Sequence, residues 1–391
     1  GKSEEMINND GKGLLPPGMN DILPPDAGFE TATVNRLLAT FRAHGYAQVK
    51  PPLVEFEQSL LAGAGGAMTQ QTFRLMDPVS HAMLGLRADM TPQVARIATT
   101  RLAHEPRPLR LCYSGQVLQV TGSQLRPERQ VGQAGVELIG AESPAADAEV
   151  IALAYEALSV IGVEGLSVDL NLPTLVPAIT ESLGLDADEG RKLRAALDRK
   201  DAGAIAALGN GAAPVLAALL KAAGPVDGAL KALSGLDLPD AAKVALTRVA
   251  DVVRRLRALV PDIRLTLDPV ENRGFEYHTG VSFVLFALGA RGELGRGGRY
   301  LAGGSERANG AEAATGFTLF MDTVIRALPE ASVPERVFVP EDAEGAAARL
   351  RGEGHIVIVG LEPIADAEAE ARRLGCSHVF KDGRVVTVKS A

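Results

Sequence analysis

The sequence predicts an α+β chain in which helices flank an antiparallel sheet. Apolar and polar residues alternate from Leu109 to Val120, and a second strand ends at Gly140 after a loop marked by glycine and proline, so one strand enters the sheet and another leaves it. Residues 173–261 are rich in Ala and Leu in segments of helical length, whereas residues 331–391 alternate short strands with helices. At 391 residues the chain exceeds one ordinary core, so we expect two or three domains.

Local patterns divide the chain further. We predict a disordered tail at 1–13, a core at 14–172 and 262–330, a helical insertion at 173–261 and a small α/β domain at 331–391. Helices are predicted where apolar residues recur at helical spacing: 28–44, from near Pro92, 143–162, 177–183, 190–208, 213–222, 241–260, 343–351 and 364–374. Strands are predicted at 46–54, 72–77, 83–87, 167–171, 263–267, 281–287, 336–339, 355–359, 378–380 and 385–388, besides the two described above.

The composition is that of a globular protein with little affinity for nucleic acid. Hydrophobic residues make up 46% of the chain, no apolar run reaches the roughly 18 residues of a membrane span, and no leader peptide opens the chain, so we expect a cytoplasmic protein without a membrane anchor. A net charge of −8 and the absence of Trp offer neither a basic surface for phosphates nor a stacking platform for bases, so tRNA binding is not expected. Cys112 and Cys376 match no disulfide or metal spacing, so we predict two buried thiols and no metal site.

Polar side chains interrupt the returning strand. Gln130, Gln133 and Glu137 stand among apolar residues on a strand that otherwise reads as half-buried. A polar group on an apolar face needs a partner, so these side chains predict a lined pocket. The segments 113–118 and 129–137 around them resemble the second signature motif of class II aminoacyl-tRNA synthetases, specifically the histidyl enzymes. The resemblance implies a class II synthetase-like core.

One residue of that motif differs in chemistry. The family carries an arginine directly after the position of Leu118, and this arginine grips the α-phosphate of ATP. Here the position is Gln119. A neutral amide cannot replace a bidentate, permanently charged guanidinium against a phosphate, so this ATP contact is lost.

The segment 86–93, LRADMTPQ, resembles the L-R-P-E-x-T sequence of the same family. The resemblance implies that Asp89 pairs with the ammonium of the amino-acid ligand and that the Thr91 hydroxyl helps to hold its backbone atoms. Asp89 is one methylene shorter than the family glutamate but keeps its charge. The alternative is that Asp89 only caps the helix that begins near Pro92, since such caps are a routine use of Asp.

Two further segments resemble the histidine-specific part of the family. The loop 273–280 resembles R-G-x-x-Y-Y-T-G, in which Arg273 and Tyr277 match and His278 replaces the second tyrosine. The segment 297–300 matches the glycine-rich G-G-R-Y strand, which ends in Tyr300. The resemblance therefore implies that a bound histidine contacts Asp89, Thr91, Gln133, Glu137, Arg273, Tyr277, His278 and Tyr300.

The third class II motif is altered. Residues 316–323, GFTLFMDT, stand in register with a pattern that has a second glycine and ends in an arginine beside the adenine and γ-phosphate. Phe320 replaces that glycine and Thr323 replaces the arginine. Arg326 lies close to one helical turn further on and is a candidate substitute. Removing one preorganised electrostatic contact typically costs about 10²–10³ in rate, so a chain that lacks both arginines is a poor adenylating enzyme.

This combination is similar to the regulatory subunits of short-form ATP phosphoribosyltransferase, a synthetase-like family. The resemblance implies a non-catalytic protein without a cofactor that binds L-histidine and joins a short-form ATP phosphoribosyltransferase catalytic subunit as a homodimer within a hetero-octamer, where it transmits feedback inhibition of histidine biosynthesis. The C-terminal domain, which holds more acidic than basic residues, is a poor substitute for a tRNA-gripping domain.

Two other functions remain open from the sequence. The chain resembles a synthetase closely enough to be a divergent histidyl-tRNA synthetase that uses Arg126 or Arg326 as a phosphate cation. It also fits a synthetase-like regulator of another partner.

Overall fold

The structure is a computed structural model that describes residues 13–207, 211, 213–272, 274–275, 277–303, 310–343 and 345–390. Residues 1–12 of the predicted disordered tail lie outside this description. The chain forms two compact units, one built from the residues up to Asp21 together with Glu30–Pro329, the other from Ile22–Phe29 together with the residues from Glu330 onward.

The first unit is built on a nine-stranded sheet with the order β1-β5-β6-β12-β11-β10-β7-β9-β8, and a separate three-stranded sheet has the order β2-β4-β3. The neighbouring strands from β5 to β7 are antiparallel, whereas β1 pairs with β5 and β7 with β9 in parallel. The predicted α+β fold with an antiparallel sheet core is thereby confirmed. The strands are β1 (Ala47–Gln48), β2 (Val54–Phe56), β3 (Arg74–Met76), β4 (Met83–Leu86), β5 (Leu109–Leu118), β6 (Gln130–Ile139), β7 (Leu166–Asn171), β8 (Gly224–Pro225), β9 (Leu265–Asp268), β10 (Ser282–Ala287), β11 (Gly295–Ala302) and β12 (Glu312–Phe320).

Helices flank the sheet, and their ends follow local chemistry. Ser143 caps the helix that follows it by accepting a hydrogen bond from the Ala146 N–H at 3.3 Å, and a proline begins that helix. A 3₁₀ helix spans Gly63–Gln71. The α-helices are α1 (Asp26–Ala43), α2 (Glu57–Leu60), α3 (Thr91–Thr99), α4 (Pro144–Val160), α5 (Leu175–Ser182), α6 (Ala187–Asp198), α7 (Ala202–Ala207), α8 (Ala213–Ala222), α9 (Val226–Ser234), α10 (Asp240–Leu259) and α11 (Met321–Arg326).

Several element predictions differ from the structure. The strand predicted at 46–54 is divided between β1 and β2, which belong to different sheets, because the prolines at 51 and 52 have no N–H for a ladder. The helix predicted at 190–208 is divided into α6 and α7 at Lys200, which has a positive φ of 55°. Helix α9 was not predicted.

Segment 173–261 lies in the same compact unit as the core. Gly224–Pro225, where the sequence indicates a break between helices, forms the edge strand β8 and pairs with β9. Helix α10 of this segment also contributes buried residues, among them Val252 and Leu256, to the large hydrophobic core that includes α4. The segment is therefore attached to the core by a strand pair and by apolar packing.

A buried ion cluster adds to this attachment. Asp147 of α4 accepts hydrogen bonds from Arg299 Nε of β11 at 2.8 Å and from Arg248 Nη2 of α10 at 3.1 Å. Arg299 also donates to the carbonyl of Ala141 at 2.6 Å. The side chains of Asp147 and Arg299 are 2% and 7% exposed, so the charges are compensated by each other rather than by water.

We expect that Asp147→Ala lowers the free energy of unfolding by about 3–5 kcal/mol, because Arg299 then remains buried, and Arg248 half-buried, without their carboxylate. Urea unfolding followed by circular dichroism measures the change. Asp251→Ala is the matched control, since Asp251 pairs with Arg254 and Arg255 on the exposed side of α10 and should change stability far less. Equal losses in the two variants would contradict the role given to Asp147.

The second unit contains a four-stranded sheet with the order β14-β13-β15-β16, in which β16 is antiparallel to β15 and the other pairs are parallel. This arrangement agrees with the strands and helices predicted after residue 331. Its elements are β13 (Arg336–Val339), α12 (Ala346–Gly352), β14 (Ile356–Val359), α13 (Ala367–Arg373), β15 (His378–Lys381) and β16 (Arg384–Thr387).

Cys112 and Cys376 are both free and buried, as predicted. Within the part of the chain that the structure describes, no helix combines the length and the apolar character that crossing a bilayer requires.

Candidate functional site

A cavity of about 360 Å³ lies in the first unit, within the range of about 300–1,000 Å³ that is usual for small-molecule sites. It is formed by strands β6, β11 and β12, the start of α3, the 3₁₀ helix and the loop before β10. Every predicted histidine-binding residue that the structure describes lines it: Asp89, Thr91, Gln133, Glu137, Tyr277, His278 and Tyr300. Arg273 lies outside the described residues.

Strand alternation explains why these side chains converge. Successive residues of a strand point to opposite faces of the sheet. On one face Cys112, Val136 and Phe317 belong to the large core with α4 and α10. On the other face Tyr113 and Tyr300 belong to a smaller cluster with α3. The cavity residues Gln133, Glu137, Thr318 and Phe320 share the alternation of this second face.

Glu137 is the most deeply buried carboxyl of the site. It is 1% exposed and accepts a hydrogen bond from the Tyr300 hydroxyl at 2.9 Å. Its strand partner is Gly316, where a β-carbon would lie 1.9 Å from Glu137 Oε2, so this position of β12 must be glycine. Burial raises the pKa of Glu137 well above its usual value of 4.5, and the negative charge of Asp89 raises it further.

Asp89 precedes α3 and also faces the cavity. Burial raises the pKa of this carboxyl, although hydrogen bonds from the Thr91 N–H, Gln133 and the Met90 N–H partly offset the effect. The N-cap of α3 is Met90, without a side-chain cap, and the bond from the Thr91 N–H to Asp89 Oδ1 is long at 3.4 Å. Capping alone is therefore a weak account of Asp89. Both carboxyls have a raised pKa, and the charge of Asp89 contributes to that of Glu137, so the pair favours a cationic ligand group nearby.

Hydroxyl and amide groups hold the first turn of α3 against the sheet. Gln133 Oε1 accepts from the Met90 N–H at 3.0 Å. The Thr91 hydroxyl lies 3.4 Å from the Tyr113 hydroxyl and 3.3 Å from Thr318 Oγ1, and these two are 2.6 Å apart. Such a connected network fixes the direction of each group, so the polar wall of the cavity is preorganised.

The opposite wall is aromatic. The rings of Tyr277 and His278 lie 4.3 Å apart and those of Tyr277 and Tyr300 lie 6.0 Å apart. Burial, together with the positive charge of Arg296, lowers the pKa of His278 to about 3, so its imidazole is neutral at physiological pH. Within the described part of the chain its buried Nδ1 has no hydrogen-bond partner. A ligand polar group is one way to satisfy it.

The two altered ATP positions lie in different places. Gln119 lines the cavity, whereas Thr323 is fully buried in α11 and accepts a hydrogen bond from Arg326 Nη2 at 3.2 Å. Arg326 is exposed and does not belong to the cavity lining. Arg126, the other candidate phosphate cation, does line the cavity, but its Nε donates to Asp322 Oδ2 at 3.1 Å.

Sequence reasoning missed several lining residues. Thr318 is one of them, and its alternation with Phe317 on a strand was a usable signal. Arg296 stands in a glycine-rich segment whose motif gives it no role, and in the structure it pairs with Glu293 at 2.9 Å. Met68 comes from the 3₁₀ helix, for which the sequence offers no periodic signal.

Comparison with known proteins shows the class of protein to which the chain belongs. A model of the histidyl-tRNA synthetase family matches residues 18–324. The structure of a histidyl-tRNA synthetase from Nostoc sp. PCC 7120 has the same fold, with a TM-score of 0.78 over 94% of this chain and 90% of that one at 20% identity. The chain thus belongs to the histidyl-tRNA synthetase-like class II proteins.

Relatives with higher sequence identity show the family within this class. The ATP phosphoribosyltransferase regulatory subunit of Paramagnetospirillum magneticum is 54% identical over 98% of this chain and 100% of its own length, and that of Rhodospirillum centenum is 53% identical over 96% of each. The structure of an ATP phosphoribosyltransferase regulatory subunit/histidyl-tRNA synthetase from Bacillus halodurans C has a TM-score of 0.79 and 25% identity over 93% of this chain and 96% of that one. The chain is a member of the ATP phosphoribosyltransferase regulatory subunit family.

The raised pKa of Glu137 predicts how stability depends on pH. Above the ordinary pKa of 4.5 the unfolded chain loses this proton while the folded chain keeps it, so rising pH favours unfolding until the folded pKa is reached. Glu137→Gln removes the titration. We therefore expect the melting temperature of the variant, relative to the natural chain, to increase as pH rises above about 5.

Glu149→Gln provides a control of opposite sign. Burial raises the pKa of Glu149, but hydrogen bonds from Arg110 and Tyr46 outweigh it, and the net pKa is lowered. This carboxylate stabilises the fold above its unfolded pKa, so its variant should lose relative stability as pH rises. Calorimetric scans across pH compare the two variants, and parallel trends would show that Glu137 is not buried as described.

Proposed function

We propose that this protein is the non-catalytic regulatory subunit of a short-form ATP phosphoribosyltransferase and that it binds L-histidine in the cavity. The single observation that carries the proposal is the uneven chemistry of the cavity. Asp89 and Glu137 line the cavity as partners for an ammonium, whereas Gln119, which also lines it, stands where a nucleotide-binding relative has an arginine. The second arginine position of such a relative is Thr323, which is buried in α11 outside the lining. The names of the relatives support the assignment to histidine biosynthesis.

The ligand pose follows from the charges. The histidine ammonium pairs with Asp89, while Gln133 and Glu137 take polar edges of the ligand, and Thr91 holds its backbone atoms. Tyr277, His278 and Tyr300 cover the imidazole, with Arg273 expected to complete the loop. Pairing with a cation lowers the pKa of both carboxyls, so binding is coupled to proton release.

Regulation follows from linkage. If histidine binding changes the affinity for the catalytic subunit, then the catalytic subunit changes the affinity for histidine by the same factor. We propose that the regulatory chains form a homodimer within a cytoplasmic hetero-octamer and that closure of the loop around Tyr277 shifts the interface with the catalytic subunit. No cofactor takes part in this scheme.

The alternative of a divergent histidyl-tRNA synthetase needs a replacement phosphate cation. Arg126 is already paired with Asp322, and Arg326 is exposed outside the cavity lining. A regulator of another partner has no observation of this structure in its favour.

Purified chain added to a short-form catalytic subunit should stimulate the formation of phosphoribosyl-ATP, and L-histidine should inhibit the stimulated rate. Absorbance of the product follows the reaction. Absence of both a complex and any stimulation would remove support for the proposal. Histidine-dependent ATP–pyrophosphate exchange by the chain alone would favour the synthetase instead.

Asp89→Asn should weaken histidine binding by about tenfold to a hundredfold, since a hydrogen bond to a charged group contributes about 1.5–3 kcal/mol. Isothermal titration calorimetry measures the affinity. Asp251→Asn makes the same chemical change outside the cavity and should leave the affinity unchanged. Equal affinity in the Asp89 variant would mean that the ammonium binds elsewhere.

A further inference from the structure

A cluster of Arg126, Phe320 and Asp322 borders one side of the cavity. The guanidinium carbon of Arg126 lies 4.1 Å from the centre of the Phe320 ring, and Arg126 Nε lies 3.1 Å from Asp322 Oδ2. Phe320 is 9% exposed, as is the Asp322 side chain. The cluster is therefore packed rather than free in solvent, and both Arg126 and Phe320 line the cavity.

The charge of Arg126 is already used within the cluster. A planar guanidinium that stacks on a ring while it bonds a carboxylate has both of its preferred partners. Glu30 lies near Asp322, and the pKa of Glu30 is raised by burial and by the charge of Asp322. A phosphate that approached Arg126 would therefore meet acidic groups and would have to displace Asp322.

Among the lining groups that the structure describes, none offers a better grip on an anion. Arg296 is bonded to Glu293, and Gln119 is neutral. Phe320 stands where the synthetase motif has a glycine, so a ring occupies space that a small residue leaves open. Its backbone position is fixed, because Phe320 is paired with Gln133 across β12 and β6.

We propose that Arg126 and Phe320 are specificity-determining residues that close the cavity to nucleotides and leave it sized for a free amino acid. The proposal rests on the proposed function, since it explains how a synthetase-like histidine site excludes ATP. The absence of the two motif arginines, at Gln119 and Thr323, by itself makes nucleotide binding weak. The cluster goes further, because the Phe320 ring occupies space beside Arg126 and Asp322 neutralises the charge of that arginine.

We call the cluster of Arg126, Phe320 and Asp322 the nucleotide barrier. Fluorescence titration with mant-ATP, a fluorescent ATP analogue, tests this barrier. In the double variant Asp322→Asn with Phe320→Ala the ring is removed and Arg126 is released for phosphate, so mant-ATP should bind about tenfold or more tightly than to the natural chain. Adding Arg126→Ala to that variant should abolish the gain. Asp322→Asn alone keeps the packing and should give a smaller gain of the same sign.

Asp251→Asn controls for loss of one negative charge, because it leaves the cavity untouched. Circular dichroism melts establish that each variant is folded. The barrier is refuted if the natural chain binds mant-ATP as tightly as the double variant does, or if the folded Asp322→Asn variants show no gain.

Histidine titration of the same samples separates the two proposals. Failure of the natural chain to bind histidine would refute the proposed function. The mant-ATP comparison would still test the barrier, because it does not depend on histidine binding. A gain in mant-ATP affinity in the double variant, together with histidine binding by the natural chain, is the result expected when both proposals hold.

Discussion

The site depends on one backbone constraint, which is the antiparallel register of β6 against β12. This register sets Glu137 opposite Gly316, where a side chain cannot fit, and so creates room for a buried carboxyl beside the Tyr300 hydroxyl. A slip by one residue would turn Glu137 and Gln133 to the face packed on α4. The apolar residues that alternate with them hold the register, since they fill the large core on that face.

Burial of acidic groups makes the cavity complementary to a cationic ligand group. Desolvation disfavours an isolated carboxylate, so a ligand that brings its own positive charge gains more than it would at an exposed site. The neutral imidazole of His278 and the hydroxyls of Thr91 and Tyr300 add polar contacts without adding charge. An amino acid with an ammonium and a ring matches such a lining better than a polyanion does.

The sequence predicted the strands that build the site, because alternation and turn chemistry are local signals, and the motif residues fell around one cavity. The sequence did not predict that the strand at 46–54 and the helix at 190–208 are each divided in two. A proline pair breaks the strand and one residue with positive φ breaks the helix, although both segments still look periodic. The Arg126–Phe320 stack was not visible at all. Its partners are far apart in the chain, and their contact depends on tertiary packing.

Neighbouring residues of β11 point in opposite directions, and their partners lie on opposite faces of the sheet. Tyr300 reaches Glu137 in the cavity, whereas Arg299 reaches Asp147, to which Arg248 of α10 is also bonded. Strand β11 is thus bonded through side chains on both faces of the sheet. The wall of the cavity and the attachment of α10 to the sheet therefore share two adjacent residues of one strand, so a substitution that shifts β11 would disturb both.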